Sequence, residues 1–159
     1  MGYQMRLFEK VSLYQAEKDG LTEEEWSEIK FPVRSTLHSA GYDFFCPREI
    51  HINPGKTEVV PSGIRAVMND DEVLFLYIRS SLGIKKNIRL SNSVGVTDAD
   101  YSNADNEGHI HIALHNDSDK AVFIKRGERI MQGVFQKYLI TDNDKTSEVR
   151  KGGIGSTGV

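Results

Sequence analysis

The stretch "YIRSSLG" sets Arg79, Ser80, Ser81 and a glycine at the end of an apolar run. A planar guanidinium beside two hydroxyls and free main-chain amides forms a site for an anion such as phosphate. The same residues also suit an ordinary helix N-terminus, with Ser80 or Ser81 as the cap. "GVTDADYSNADNEG" is dense in carboxylates and amides. Asp98 within it reads either as part of a solvated turn or as a carboxylate that orients a water molecule as a general base. A calcium loop starting at Asp98 fails, because Asn103 stands where glycine is needed and His109 where a bidentate Glu is needed. "HIHIALH" offers a His-x-His pair and a third imidazole, ligand types that suit zinc. Its alternation sends Ile110, Ile112 and Leu114 one way and His109, His111 and His115 the other, which predicts an exposed or interface-facing histidine row. "RGERIMQ" adds Arg129 and Gln132 beside a turn at Gly127, and the closing "RKGGIGSTGV" is either a frayed end or an arm whose amides and hydroxyls close over phosphate.

Strands position most of these residues. From Phe31 onward, short β-rich runs alternate with turn residues: "TEVVPSGIRAV", "EVLFLYIR", "NIRLSNSVGV", "GHIHIALHN", "AVFIKRGERI" and "QGVFQKYLI". Their spacing predicts an all-β sandwich or barrel, in which the unbroken apolar run of "EVLFLYIR" is covered on both faces. A first strand is expected over roughly residues 4–13. "GLTEEEWSEIKFP" predicts one exposed helix, about residues 21–30, with Thr22 as N-cap, acidic residues in the first turn and Pro32 as the stop. Trp26 and Ile29 share a face of it and pin it to the body.

The chain has 159 residues, 38% hydrophobic and 27% charged, with a formal net charge of −3. That fits one globular domain, residues 1–149, followed by a mobile glycine-rich arm, 150–159. The charge supplies no general attraction to nucleic acid or to an acidic membrane, so any anion site must be local. Cys46, the single cysteine, cannot form an internal disulfide and reads as a small buried hydrophobe. The N-terminal residues show no secretory or membrane-spanning pattern, and a cytoplasmic protein is expected.

Taken together and in order, "SAGYDF", "RSSLG", "GVTDADY", "RGERIMQ" and "GGIGSTG" resemble the motifs of the trimeric dUTPase family, from Ser39 to Gly158. The resemblance implies a jelly-roll-like β fold and a homotrimer whose sites are shared between subunits, the tail closing over a neighbour's site. It implies hydrolysis of dUTP to dUMP and pyrophosphate with Mg²⁺, which limits uracil in DNA and supplies dUMP. Asp98 matches the carboxylate that orients the attacking water, and Tyr101 the aromatic that packs on deoxyribose where a 2′-hydroxyl would clash. Asn92 matches a polar residue at the uracil edge, where the surrounding hairpin with Gly95 and Val96 reads the base through its backbone. Arg79, Ser80, Ser81 and Gln132 match phosphate-binding positions. Asp43 matches the acid that supports the metal–phosphate site, through water and with no direct protein ligand to the metal.

In the tail, Gly155, Ser156 and Thr157 match phosphate-contacting positions, and Arg150 or Lys151 takes the γ-phosphate role. Three departures stand out. Ile154 replaces a Phe that stacks on uracil in most relatives, leaving apolar contact without a π face. Arg150 precedes a shorter spacer than usual, four residues before Ile154, and "SNADNEG" replaces a tighter Arg-Gly turn after Tyr101, predicting a longer, mobile loop. A dCTP deaminase of the same fold would need a catalytic Glu where Ala113 stands, and alanine cannot relay protons. The rival of a different class is a protein-binding module, since some phage members engage repressors and the helix around Trp26 offers a docking surface for a regulatory partner. The presence of both Asp98 and Tyr101 favours the enzyme.

Overall fold

The computed structural model describes residues 5–155, so Ser156 and Thr157 lie outside the described residues. In chain order the elements are β1 (Leu7–Lys10), α1 (Leu13–Lys18), α2 (Glu23–Glu28), β2 (Val33–Arg34), β3 (Tyr42–Phe45), β4 (Ile50–Ile52), β5 (Thr57–Pro61), β6 (Ile64–Val67) and β7 (Glu72–Ile78). They continue with α3 (Ser80–Lys86), β8 (Ile88–Leu90), β9 (Gly95–Asp98), a 3₁₀ turn (Ala99–Asn103), β10 (His111–Asn116), β11 (Val122–Ile124) and β12 (Arg129–Lys137). The expected β architecture is observed. A five-stranded sheet, β2-β3-β12-β7-β9, faces a three-stranded one, β5-β10-β8, across the core, and β1-β6 and β11-β4 form two-stranded sheets. Every pairing is antiparallel.

Strand β7 lies between β12 and β9; its Val73, Leu74 and Leu76 are buried, but Phe75, Tyr77 and Ile78 are only half-buried, so the expected cover on both faces is incomplete in the single chain. β10 alternates as predicted: Ile112 and Leu114 are wholly buried and join Phe44, Ile52, Leu74, Ile88, Ile124, Ile130 and Met131 in one core. β9 pairs with β7 so closely that a methyl group on Gly95 would lie 2.9 Å from Leu76 Cβ, which makes glycine the residue that permits this register.

The N-terminal region differs from expectation. β1 is shorter than the predicted strand and is followed by a second helix, α1, which the reading missed. Its signals are local: Ser12 Oγ accepts from Gln15 N at the start, and Asp19-Gly20 ends it, with Gly20 at φ 94°. α2 forms as expected on a capping box, Thr22 Oγ1 accepting from Glu25 N while Glu25 accepts from Thr22 N. Trp26 does pin it, donating from Nε1 to Val11 O at 2.8 Å and packing with Ile29 on a small cluster of Val11, Ala16 and Leu21. Cys46 is buried, and desolvation pushes its thiol up to about 11, so it stays protonated and inert.

Candidate functional site

The residues singled out in the sequence fall into two groups. The first surrounds a cavity of about 390 Å³ lined by Ser35, Asp43, Arg79, Ser80, Ser81 and Gln132, among others. Asp43 lies mid-strand on β3 and is 4% exposed. Its Oδ1 accepts from Arg79 Nε at 3.1 Å, while Oδ2 accepts from Arg129 Nη1 at 3.2 Å and Ser35 Oγ at 2.9 Å. A buried carboxylate saturated in this way holds two guanidinium groups in place. Ser80 and Ser81 open α3, yet neither caps it: Arg79 holds the N-cap position and makes no side-chain cap bond. Gln132 lies across Gly41, where a methyl group would sit 2.3 Å from Gln132 Oε1, so the glycine of "SAGYDF" leaves room for that amide. The pocket offers guanidinium, hydroxyl and amide donors around one space, a donor set for phosphate oxygens.

The second group surrounds a cavity of about 280 Å³ lined by Asn92, Gly95, Val96, Asp98, Tyr101, His111, Arg150 and Ile154, among others. On β9 Gly95 and Thr97 face the core, so Val96 and Asp98 point outward by strand alternation. Asp98 is therefore open to solvent and to a ligand. Tyr101, on the 3₁₀ turn, donates from its hydroxyl to His109 O at 2.9 Å and accepts from Asn106 Nδ2 at 2.9 Å, and burial raises its pKa. The loop after it is tied rather than open: Glu107 accepts from Ser12 N and Oγ, and Asp105 N donates to Lys151 O at 3.2 Å.

The tail lies against this second pocket of its own chain. Arg150 donates through Nη2 to Asp98 Oδ2 and through Nε to Asp100 Oδ1 at 2.6 Å, with its guanidinium 5.8 Å from the Tyr101 ring centre. Ile154 and Gly155 line the same cavity, and Lys151 is exposed. Neither Arg150 nor Lys151 lines the pocket around Arg79.

The two pockets are far apart in one chain. Asp98 pairs with Val73 at one end of β7, whereas Arg79 follows Ile78 at the other. Six residue steps of extended chain run from Val73 to Arg79, about 20 Å.

The histidine row requires a correction. His111 and His115 are half-buried, but His109 is 0% exposed and precedes the strand. The unforeseen α1 supplies the carboxylate that the run itself lacks, Asp19, whose Oδ2 lies 2.6 Å from His109 Nδ1. Ser35 and Arg129 as partners of Asp43 were not expected from the sequence. Arg129 is in "RGERIMQ" and carries a charge that β12 had to place somewhere, but only the pairing of β12 with β3 shows where.

A family model described as dUTPase matches residues 27–158. The chain is 47% identical to a deoxyuridine 5′-triphosphate nucleotidohydrolase of Lactococcus lactis over 82% of this chain and 89% of the relative. It resembles the crystal structure of a dUTPase from Streptococcus mutans with a TM-score of 0.71 and 40% identity, covering 86% of this chain and 99% of that one. A dUTPase of Staphylococcus aureus phage phi11, described as revealing the coordination of a structural Mg(II) ion, shares the fold with a TM-score of 0.68 at 16% identity, covering 91% and 97%.

Proposed function

Because the chain belongs to the dUTPase family and hydrolyses dUTP to dUMP and pyrophosphate, we propose that each of its sites is built from more than one copy of the chain, the base and sugar held by one and the phosphates by another. The carrying observation is the separation along β7. Asp98 must hold its water within hydrogen-bond reach of the reacting phosphorus, while Arg79 lies about 20 Å away along the strand, farther than a triphosphate spans, with Ser80 and Ser81 just beyond it and Gln132 level with Tyr77 on the neighbouring β12. A second copy bringing its phosphate pocket beside Asp98 resolves this, in keeping with the homotrimer that the motifs imply.

In the assembled site, uracil enters the pocket beside the β8–β9 connection, whose two strands lie in different sheets rather than pairing as the expected hairpin, with Asn92 and the backbone of Gly95 and Val96 at its edge and Tyr101 against deoxyribose. Asp98, exposed at the end of β9, orients a water for in-line attack and takes up its proton. Arg79, the hydroxyls of Ser80 and Ser81 and the Gln132 amide hold the pyrophosphate-to-be. Catalysis of this kind is mainly positioning and charge neutralisation.

Mg²⁺ fits the donor set as an ion carried by the phosphates and water. The Asp43 oxygens are engaged by Arg79, Arg129 and Ser35, which suits contact through water rather than direct ligation. When bound, the ion would neutralise charge on the triphosphate. The tail supplies Ile154 as an apolar lid, and Arg150 leaves Asp98 and Asp100 when phosphate offers it a more highly charged partner.

The test is pyrophosphate and ammonia release from dUTP, dTTP, dCTP and UTP with Mg²⁺, together with the mass of the protein in solution by light scattering. Pyrophosphate from dUTP alone and a trimeric mass are expected. Full activity of a monomer would overturn the shared site, and ammonia from dCTP would overturn the argument from Ala113.

A further inference from the structure

The turn that carries Tyr101 is anchored from outside the sheet. Gly63 N lies 2.8 Å from His109 Nε2. A backbone N–H can only donate, so Nε2 accepts and the ring proton resides on Nδ1, which donates to Asp19 Oδ2 at 2.6 Å. Gln15 Nε2 donates to the same Asp19 oxygen at 2.7 Å. Desolvation holds the pKa of His109 below its ordinary value, against the opposing pull of Asp19, so the neutral ring that this geometry requires is the form present at neutral pH. With its ring clamped, His109 presents its carbonyl oxygen to two residues of the nucleotide pocket, Tyr101 through its hydroxyl at 2.9 Å and His111 through Nδ1 at 3.0 Å. Gln15 and Asp19 lie outside the residues that the family model matches, 27–158.

Asp19, His109 and His111 also bring ligand atoms within 4.8 Å of one another. They do not read as a metal site. A metal at His109 Nδ1 would force the proton onto Nε2, where it would face the Gly63 N–H donor.

We propose that Asp19 is a positioning residue for Tyr101: through His109 it sets where the sugar-packing ring stands, and so contributes to the choice of deoxyribose over ribose. The proposal rests on the reading of Tyr101 as the residue that packs on the sugar.

The test compares kcat/KM for dUTP and UTP in the full chain. Asp19→Ala should lower the dUTP/UTP ratio about five- to tenfold, the effect of one lost buried hydrogen bond. Asp19→Asn, whose Oδ1 can still accept from His109 Nδ1, should restore most of it. Tyr101→Phe removes the hydroxyl contact and should lower the ratio similarly, and Asp19→Ala combined with Tyr101→Phe should be no worse than Tyr101→Phe alone. A destabilised but otherwise normal enzyme would lose kcat on both nucleotides equally, so an unchanged ratio in Asp19→Ala overturns the proposal, as does simple additivity in the double variant. If Asp19→Ala does not fold, Gln15→Leu takes its place, with a smaller drop expected and no drop overturning the proposal. A ratio insensitive to Tyr101→Ala would instead overturn the sugar role of Tyr101, and the proposal with it. Stabilisation by Zn²⁺ that Asp19→Asn abolishes would replace the hydrogen-bonded couple by a metal site.

Discussion

The two pockets hold their carboxylates in opposite ways. Asp43 is buried on β3, inside the five-stranded sheet, and its partners Arg79 and Arg129 stand at strand ends on the same sheet. Asp98 is half exposed at a sheet edge, and its partner Arg150 comes from the tail. The pocket around Asp43 is thus preorganised by strands that the core already pays to order, whereas the pocket around Asp98 is finished by the two ends of the chain, α1 on one side and residues 150–155 on the other. A group that must hold its partners in fixed positions is best placed within the sheet and fully hydrogen-bonded. One that must handle a water molecule is best left accessible.

The largest effect should come from removing the accessible carboxylate's chemistry without its shape. Asp98→Asn should bind dUTP nearly as the parent does while kcat falls about 10²- to 10⁴-fold, measured by pyrophosphate release beside equilibrium binding. Near-parental turnover would remove Asp98 from the mechanism. Deleting residues 150–159 should leave the assembly intact by light scattering and slow hydrolysis about 10²-fold, if the tail closes the site as proposed. Retention of full kcat would show that closure is not needed.

In the other pocket the expected loss is one of stability as well as of phosphate affinity. Asp43→Ala leaves Arg79 and Arg129 facing each other with no anion between them, at a cost of about 2 kcal/mol, since both guanidinium groups keep some access to water. A thermal melt should show a drop of about 4–8 °C. An unchanged melting temperature would mean that the two arginines find other partners, and the contrast between the pockets would weaken.

The smallest effect concerns pH. Burial lowers the pKa of His109 from its ordinary value near 6.5. The unfolded chain therefore takes up a proton that the folded chain resists, so this contribution is complete above about pH 6.5 and is lost as pH falls below it. Melts between pH 7.5 and 5 should show a steeper decline for the parent than for His109→Gln. Parallel declines would show that His109 is not the group responsible.

Much of the phosphate pocket was legible from the chain alone, because "RSSLG" and "RGERIMQ" are contiguous and their donors follow from residue type. Less of the other pocket was legible. α1 is only six residues long, too short for periodicity to announce it, although Ser12 and the Asp19-Gly20 pair marked its ends. The burial of His109 could not be read from alternation, since its partners Asp19 and Gly63 lie 90 and 46 residues away in sequence.

By itself, the sequence determined the β class, the inward face of β10, the capped helix at Thr22 and the family, because each depends on residue type and short-range spacing. Only the tertiary structure decided that Asp43 gathers Arg79 and Arg129, that α1 reaches the Tyr101 turn through His109, and that Asp98 and Arg79 stand at opposite ends of one strand. Those outcomes depend on register and on which distant segments meet, and register is set by the packing of the whole core.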